Sequence, residues 1–325
     1  MISRLKNIAA KNNHLKGFLI AALGAIFFST KAIFVKLAFK HTAVDAITLL
    51  ALRMLFSLPF YIVIAIISSK QKEKRVALKE WGYIILLGMV GYYLSSLFDF
   101  IGLKYISAGL ERLILFLYPT FAILINTWLF KVKLTRNQVF ALVLSYMGIA
   151  IAYGGELHIS FSDPGFHYGS LMVFLCAVTY SFYLVGTGKI VPKVGATRFT
   201  AYTMLSATVG ILAHFFVTHS ISIFSTFHPN IIYYCLALSI IATVLPSFML
   251  SYGMKTIGSN NVAVITSIGP VSTILQAYLF LGETFHFTQV VGTILVIVGV
   301  LRIGKTENVE PEILPEENVI PPETA

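Results

Sequence analysis

Gly102-Leu-Lys-Tyr-Ile-Ser-Ala-Gly-Leu-Glu-Arg-Leu-Ile-Leu-Phe-Leu-Tyr-Pro119 runs from a short loop into an apolar helix that carries adjacent charges, Glu111 and Arg112, and then a proline. Shifted by 151 residues, it lies without a gap over Gly253-Met-Lys-Thr-Ile to Gly269-Pro270, and the register holds beyond it. Gly102/Gly253, Lys104/Lys255, Ile114/Ile265, Pro119/Pro270, Gln138/Gln289 and Gly148/Gly299 are identical pairs. About half the chain is therefore a copy of the other half. One copy keeps the charges; the other has Val262 and Ala263 in their place.

Composition says what solvent the copies fold in. The chain is 57% hydrophobic and 12% charged, with mean hydropathy +0.82, far from soluble domains, in which about a quarter of residues are charged. It reads as a polytopic membrane protein. A net charge of +10 on one face would suggest nucleic acid, but here it is scattered through the links between apolar segments and reads as topology; no nucleic-acid partner is expected. Cys176 and Cys235 each lie inside an apolar run, where a small buried side chain is the expected role.

At ~20 apolar residues per crossing, ten spans are predicted, over 17–38, 44–68, 80–102, 107–130, 136–154, 168–188, 198–218, 230–252, 259–281 and 287–304. The expected organisation is a cytoplasmic tail over 1–16, a five-helix repeat over 17–154, an extracytoplasmic linker over 155–167, a second five-helix repeat over 168–304 and a disordered acidic tail over 305–325. That tail holds four prolines and six glutamates, too polar to bury a face. With the N-terminus inside, the cytoplasmic side collects 18 Lys and Arg, and the other side only Lys36, Lys40 and Lys104. Both termini are then cytoplasmic. Five spans is an odd number, so the second repeat enters the membrane upside down relative to the first, the arrangement many secondary transporters use for alternating access. The predicted fold is an all-α membrane protein of ten transmembrane helices in two inverted five-helix repeats.

Charges inside a membrane cost several kcal/mol, ~3 or more each, and so face protein or water. Lys31, Arg53, Asp99, Glu111 and Arg112 are five such charges, all in the first copy. The tight link at Lys104 and Tyr105 places Asp99 at the depth of Glu111-Arg112. Two readings stay open. One is a structural salt bridge, Asp99 or Glu111 with Arg112 or Arg53; the other is a binding or proton-relay site. Three cations against two anions favour a carboxylate-bearing substrate. Helical spacing aligns Glu111, Leu115, Tyr118, Ala122 and Asn126 in one stripe, and Tyr92, Ser95, Ser96 and Asp99 in another. The stripes could wall a pocket, or the hydroxyls could glue helices together. Tyr180, Tyr183, Thr266, Thr273 and Gln276 are the polar candidates of the second copy. Pro119 and Pro270 each lie near mid-span, where proline frees the carbonyl four residues back, of Leu115 and Thr266, and bends the helix. Substrate site, hinge and packing kink are all compatible with that. Gly292 and Gly299, with Ala141 and Gly148, recur every seven residues and allow close helix contact, within one bundle or between subunits of a homodimer.

With these features assembled, the chain resembles the drug/metabolite transporter superfamily, specifically its ten-helix members with two EamA domains. The resemblance rests on the two five-helix copies, Leu-Leu-Ala-Leu-Arg53, Gly102-Leu-Lys-Tyr-Ile-Ser-Ala, the paired prolines, and Phe280-Leu-Gly-Glu283 leading to Gln289-Val-Val-Gly292. It departs where the first copy has Val132 opposite Glu283. The resemblance implies an inner-membrane carrier of small metabolites, often an exporter, with substrates from amino acids to nucleotide sugars. Protons are the expected coupling ion. No GxxxxGK[ST] loop marks a primary pump, and no HExxH or Cys/His cluster marks a metalloenzyme, so neither cofactor nor metal is expected. Channel or sensor and intramembrane enzyme are the rival classes.

Overall fold

The computed structural model describes residues 2–69, 76–130, 136–160, 164–219, 230–257, 262, 265–266, 268–284 and 286–306. Among them every regular element is helical. In chain order these are α1 (Ile2–His41), α2 (Ala46–Ser69), α3 (Leu78–Leu103), α4 in two pieces (Ala108–Leu115 and Tyr118–Phe130), α5 (Arg136–Ser160), α6 (Pro164–Val194) and α7 (Ala196–Thr218). Then come α8 (Asn230–Ser239, continuing through Leu245–Ile257), α9 (Gly269–Leu281) and α10 (Phe287–Thr306). Seven of these helices are long and apolar enough to cross a bilayer, and three shorter apolar helices, Leu142–Gly155, Gly269–Leu281 and Phe287–Gly299, complete the expected ten. Helix α1 already begins at Ile2, and α5 and α6 reach Ser160 and Pro164, so helix covers most of the segments expected as N-terminal tail and linker. Val132 and the tail beyond Thr306 lie outside the described residues.

Helices form here because lipid satisfies no backbone group, and each helix satisfies its own. Their outward faces are Leu, Ile, Val and Phe, as at Val63, Ile66 and Ile67 on α2. Inward faces are small or polar, because lipid tails offer no hydrophobic gain for association and close packing must supply it. The packing is between repeats and follows the 151-residue register. Helix α3 packs on α6, and its register mate α8 packs on α1; α2 packs on α7, α4 on α9 and α5 on α10. Gly102 illustrates the first contact, since a Cβ there would run into Val173 of α6, and its mate Gly253 faces Ala21 of α1 at 2.8 Å from an added Cβ. On α5 and α10, Gly148 and Gly292 meet face to face: a Cβ at Gly148 would lie 2.6 Å from the Gly292 carbonyl oxygen. The glycine stripe thus has its partner within the bundle.

A second repeat signature was not visible in the sequence. One π-turn interrupts α3 at Met89–Leu94 and another interrupts α8 at Ile240–Val244, starting 151 residues apart. Such turns insert one extra residue into a helix and often occur at functional sites.

Candidate functional site

Helix α4 is broken, and its broken part packs against the start of α9. In α4 the first piece ends at Leu115 with Phe116 at ψ 3°, and a new helix starts at Tyr118. Leu117 N–H reaches back to Ile114 O at 3.1 Å and Phe121 N–H to Leu117 O at 3.1 Å. At the start of α9 the register mates do the same, Ile268 N–H to Ile265 O at 3.1 Å and Ser272 N–H to Ile268 O at 2.9 Å. The expected proline bend is therefore a full break in α4, and the described residues of the second copy repeat its bonding, with Pro270 in the first turn of α9, where its missing N–H costs nothing. The break also corrects the stripe expected along α4. Periodicity of 3.6 holds only through unbroken helix, so Glu111 faces α3 while Tyr118 faces α6 and Thr266, just before α9.

The first-copy charges gather beside this break. Lys31 Nζ on α1 lies 2.6 Å from Asp99 Oδ2 on α3, an ion pair in which charge matters more than alignment. The Glu111 carboxyl lies against that of Asp99. As two carboxylates neither has a donor to offer the other; a single proton between them would turn the contact into a hydrogen bond. Arg112 turns the other way: its Nη2 donates to Ser29 Oγ at 3.1 Å, and Ser29 Oγ lies 3.3 Å from the carbonyl oxygen of Gly269, at the break in α9. Thr273 Oγ1 reaches Ser29 O at 3.5 Å. Phe28 lies under both cations, 5.7 Å from Lys31 Nζ and 5.3 Å from Arg112 Cζ. Asp99 and Glu111 are 1% and 0% exposed, so the group is sealed. The salt bridge expected with Arg112 or Arg53 is corrected. Lys31 takes Asp99, because α1 brings it alongside α3, whereas Arg112 is drawn towards α9.

Arg53 sits apart, within electrostatic reach of Asp99 and Tyr92. Its Nε donates to Thr243 Oγ1 at 2.9 Å, its guanidinium lies 5.4 Å over Phe100, and Ser239 Oγ holds its backbone carbonyl at 2.7 Å. Its Nη1 is buried with no hydrogen-bond acceptor among the described residues. Tyr92, in the π-turn of α3, accepts from Tyr183 OH at 3.2 Å, and a chain of ring contacts runs Tyr92, Tyr183, Tyr180, Tyr118 with centroids 4.9, 5.7 and 5.2 Å apart. Tyr118 meets Thr266 through their hydroxyls. Ser95 Oγ faces Cys176 Sγ at 3.5 Å on α6, so it serves the α3–α6 contact. Gln276 Nε2 donates to Ser272 Oγ at 2.8 Å on its own helix and reaches Ile26 O at 3.5 Å. Asn126 is half-buried on the far piece of α4, away from the charges.

Sequence reasoning missed Ser29 and Thr243. The repeat register held a signal for the second: Thr243 is the mate of Tyr92, so both π-turns place a hydroxyl at the same site. For Ser29 the only signal was its place two residues before Lys31. Among the described residues no three His, Cys, Asp or Glu side chains gather to hold a metal ion.

If the broken helices act as hinges, Pro119→Ala and Pro270→Ala, which let the ladder close, should each express near normally yet transport several-fold more slowly. Wild-type rates in both would reduce the breaks to packing features.

Inverted repeats, a mid-bundle helix break and a sealed charge centre beside it are features found in many membrane transport proteins. The sequence profile of the EamA-like transporter family matches residues 15–154 and 167–304, and the chain belongs to that family. It is similar to the uncharacterized transporter YcbK of Bacillus subtilis (strain 168), with 29% identity over 305 residues, 90% of this chain and 96% of that one. An uncharacterized transporter of Archaeoglobus fulgidus is 25% identical over 287 residues, 88% and 96% of the two chains. A crystal structure of a protein at 18% identity superposes with TM-score 0.63 over 91% of this chain and 98% of that one, a likeness of fold alone.

Proposed function

We propose that the chain is a proton-coupled secondary transporter that exports a small amphoteric metabolite, an amino acid or a related carboxylate-bearing compound, across the inner membrane. The observation that carries this is the Asp99–Glu111 carboxyl pair, in contact and 1% and 0% exposed. Lys31 offsets one of the two negative charges; the second still repels in a low dielectric, and a shared proton or a substrate ammonium relieves that repulsion. Proton and ammonium then compete for one site. Competition is what antiport requires: an inward proton gradient expels the cation-bearing substrate. The substrate carboxylate has its own partner in the Arg53 Nη1 donor, buried without an acceptor among the described residues, since a buried donor gains most from a charged acceptor. The tyrosine chain beside it suits an apolar or aromatic side group.

Comparing metabolites in the medium of cells with and without the protein is the first test, followed by counterflow of the enriched compounds into proteoliposomes. A few amphoteric compounds should be enriched outside the expressing cells. Conductance across a bilayer without counterflow would move the protein to the channels.

Orientation is part of the same proposal. With both termini in the cytoplasm, reporters fused after Glu156 and Ser222 should report the outside, and those after Lys193 and Lys305 the inside. An inside signal at Glu156 would contradict the orientation and the inverted entry of the second repeat.

A further inference from the structure

Helix α4 begins one turn before Glu111, and a carboxylate of the other repeat holds that beginning. Ser107 caps the helix locally, its Oγ accepting from Leu110 N–H at 3.0 Å. Ala108 N–H donates elsewhere, to Glu283 Oε1 at 3.0 Å. Glu283 follows Gly282, whose φ of +70° ends α9 in a left-handed turn that a side chain would strain. Lys36, on α1, lies 3.8 Å from the same Glu283 oxygen. One carboxylate thus ties α1, α4 and the α9–α10 turn together. A carboxylate at a helix N-terminus meets both unpaired N–H groups and the positive end of the helix dipole.

What lies on either side of this tie gives it a role. Lys36 and Glu283 border a cavity of about 400 Å³, together with Tyr105, Thr284 and His286. Their side chains are 23% and 22% exposed. Lys31 lies five residues before Lys36 on α1, and Glu111 lies one turn into α4, whose start Glu283 caps; there the carboxyls are sealed. The cavity thus borders the start of α4, one turn from Glu111, and Glu283 holds that start. In the orientation proposed above, the cavity faces outside. The register mate of Glu283 is Val132, which has no carboxylate to offer, so the sequence provides this latch at one end of the repeat pair only.

We propose that Glu283, bridging Lys36 and the N-terminus of α4, is the outer gate of the transport path, closed in this structure, and that substrate leaving the carboxyl centre must break it. The proposal rests on the transporter reading. Its direct consequence does not: loss of the carboxylate frees the α3–α4 turn from the α9–α10 turn.

Spin labels on cysteines introduced at the exposed Lys104 and Thr284 measure that separation by pulsed electron resonance in the full-length protein. Cys176 and Cys235 are 3% and 0% exposed and stay in place. The wild type should give one narrow distance. Glu283→Gln, which keeps the shape and loses the charge, should raise the ratio of open to closed forms about 3- to 30-fold, and Glu283→Ala at least as much. Lys36→Met leaves the helix cap and removes the ion pair, so it should open the gate by a smaller factor. Wild-type distributions in both Glu283 variants would overturn the gate. A Lys36→Met shift larger than that of Glu283→Gln would overturn the role of the helix cap. Should Glu283→Ala not purify as a single species, Glu283→Gln and Lys36→Met carry the comparison. The measurement needs neither substrate nor gradient, so a failed gate leaves the coupling proposal untouched, and failed coupling at Glu111 leaves the gate standing.

Discussion

Replacing Lys31 by methionine costs about 3–5 kcal/mol of stability, because it leaves the Asp99 carboxylate buried without its cation. Methionine matches the lysine stem in length and keeps the packing over Phe28, so the loss reports charge and not volume. Lys31 Nζ is 2.6 Å from Asp99 Oδ2, with side-chain exposures of 10% and 1%, and solvent can do little to replace it. The double variant Lys31→Met, Asp99→Asn removes both charges and should recover most of the loss. A denaturation series in detergent on the four members of this cycle decides the matter. A single variant within about 1 kcal/mol of wild type, or a double variant no better than the single, would mean that the pair is not what holds α1 to α3.

Gly292→Val is the second large effect. The added Cβ would point into the Gly148 carbonyl and lie 2.8 Å from the Ala152 Cβ, and neither backbone can yield without parting α5 from α10. Overpacking of this kind costs about 3 kcal/mol, read as a clear fall in the thermal unfolding midpoint. Gly154→Ala is the control on the same helix pair: nothing lies within 4 Å of its added Cβ, and alanine is the better helix former by about 1 kcal/mol. Equal midpoints for Gly292→Val and the wild type would remove the close contact from the account.

These two sites also show what a sequence in lipid discloses. The apolar stretches and the repeat register were legible because both are properties of the chain read in one dimension: bilayer thickness sets the first and duplication the second. Gly148 and Gly292 stood out by the same token, since only small residues let two helices touch. The partner of Asp99 did not. Which cation it meets depends on the rotation of α1, α3 and α4 about their own axes, and one extra residue in the π-turn at Met89–Leu94 rotates everything after it by roughly 100°. Counting in threes and fours from Tyr92 to Asp99 cannot see that turn. Likewise the prolines signalled a disturbance in α4 and α9, but a kink and a break differ only in the backbone of Phe116 and Leu117. Glu283 was noticed for its absence from the first copy. Its position at the start of α4 needed the fold.

Glu111→Gln tests coupling most directly. Gln keeps the shape of Glu111 and can donate to Asp99, so the variant should fold; what it loses is the ability to take up and release a proton. Proteoliposomes containing wild-type or Glu111→Gln protein, loaded with a pH-sensitive dye and supplied with the exported compound, report substrate and proton movement together. The wild type should concentrate substrate against its gradient while protons move the opposite way. Glu111→Gln should exchange labelled for unlabelled substrate at a comparable rate, concentrate nothing and move no protons. A stable Glu111→Gln protein that still concentrates substrate under a proton gradient would contradict the proposal that this carboxyl pair couples transport to protons.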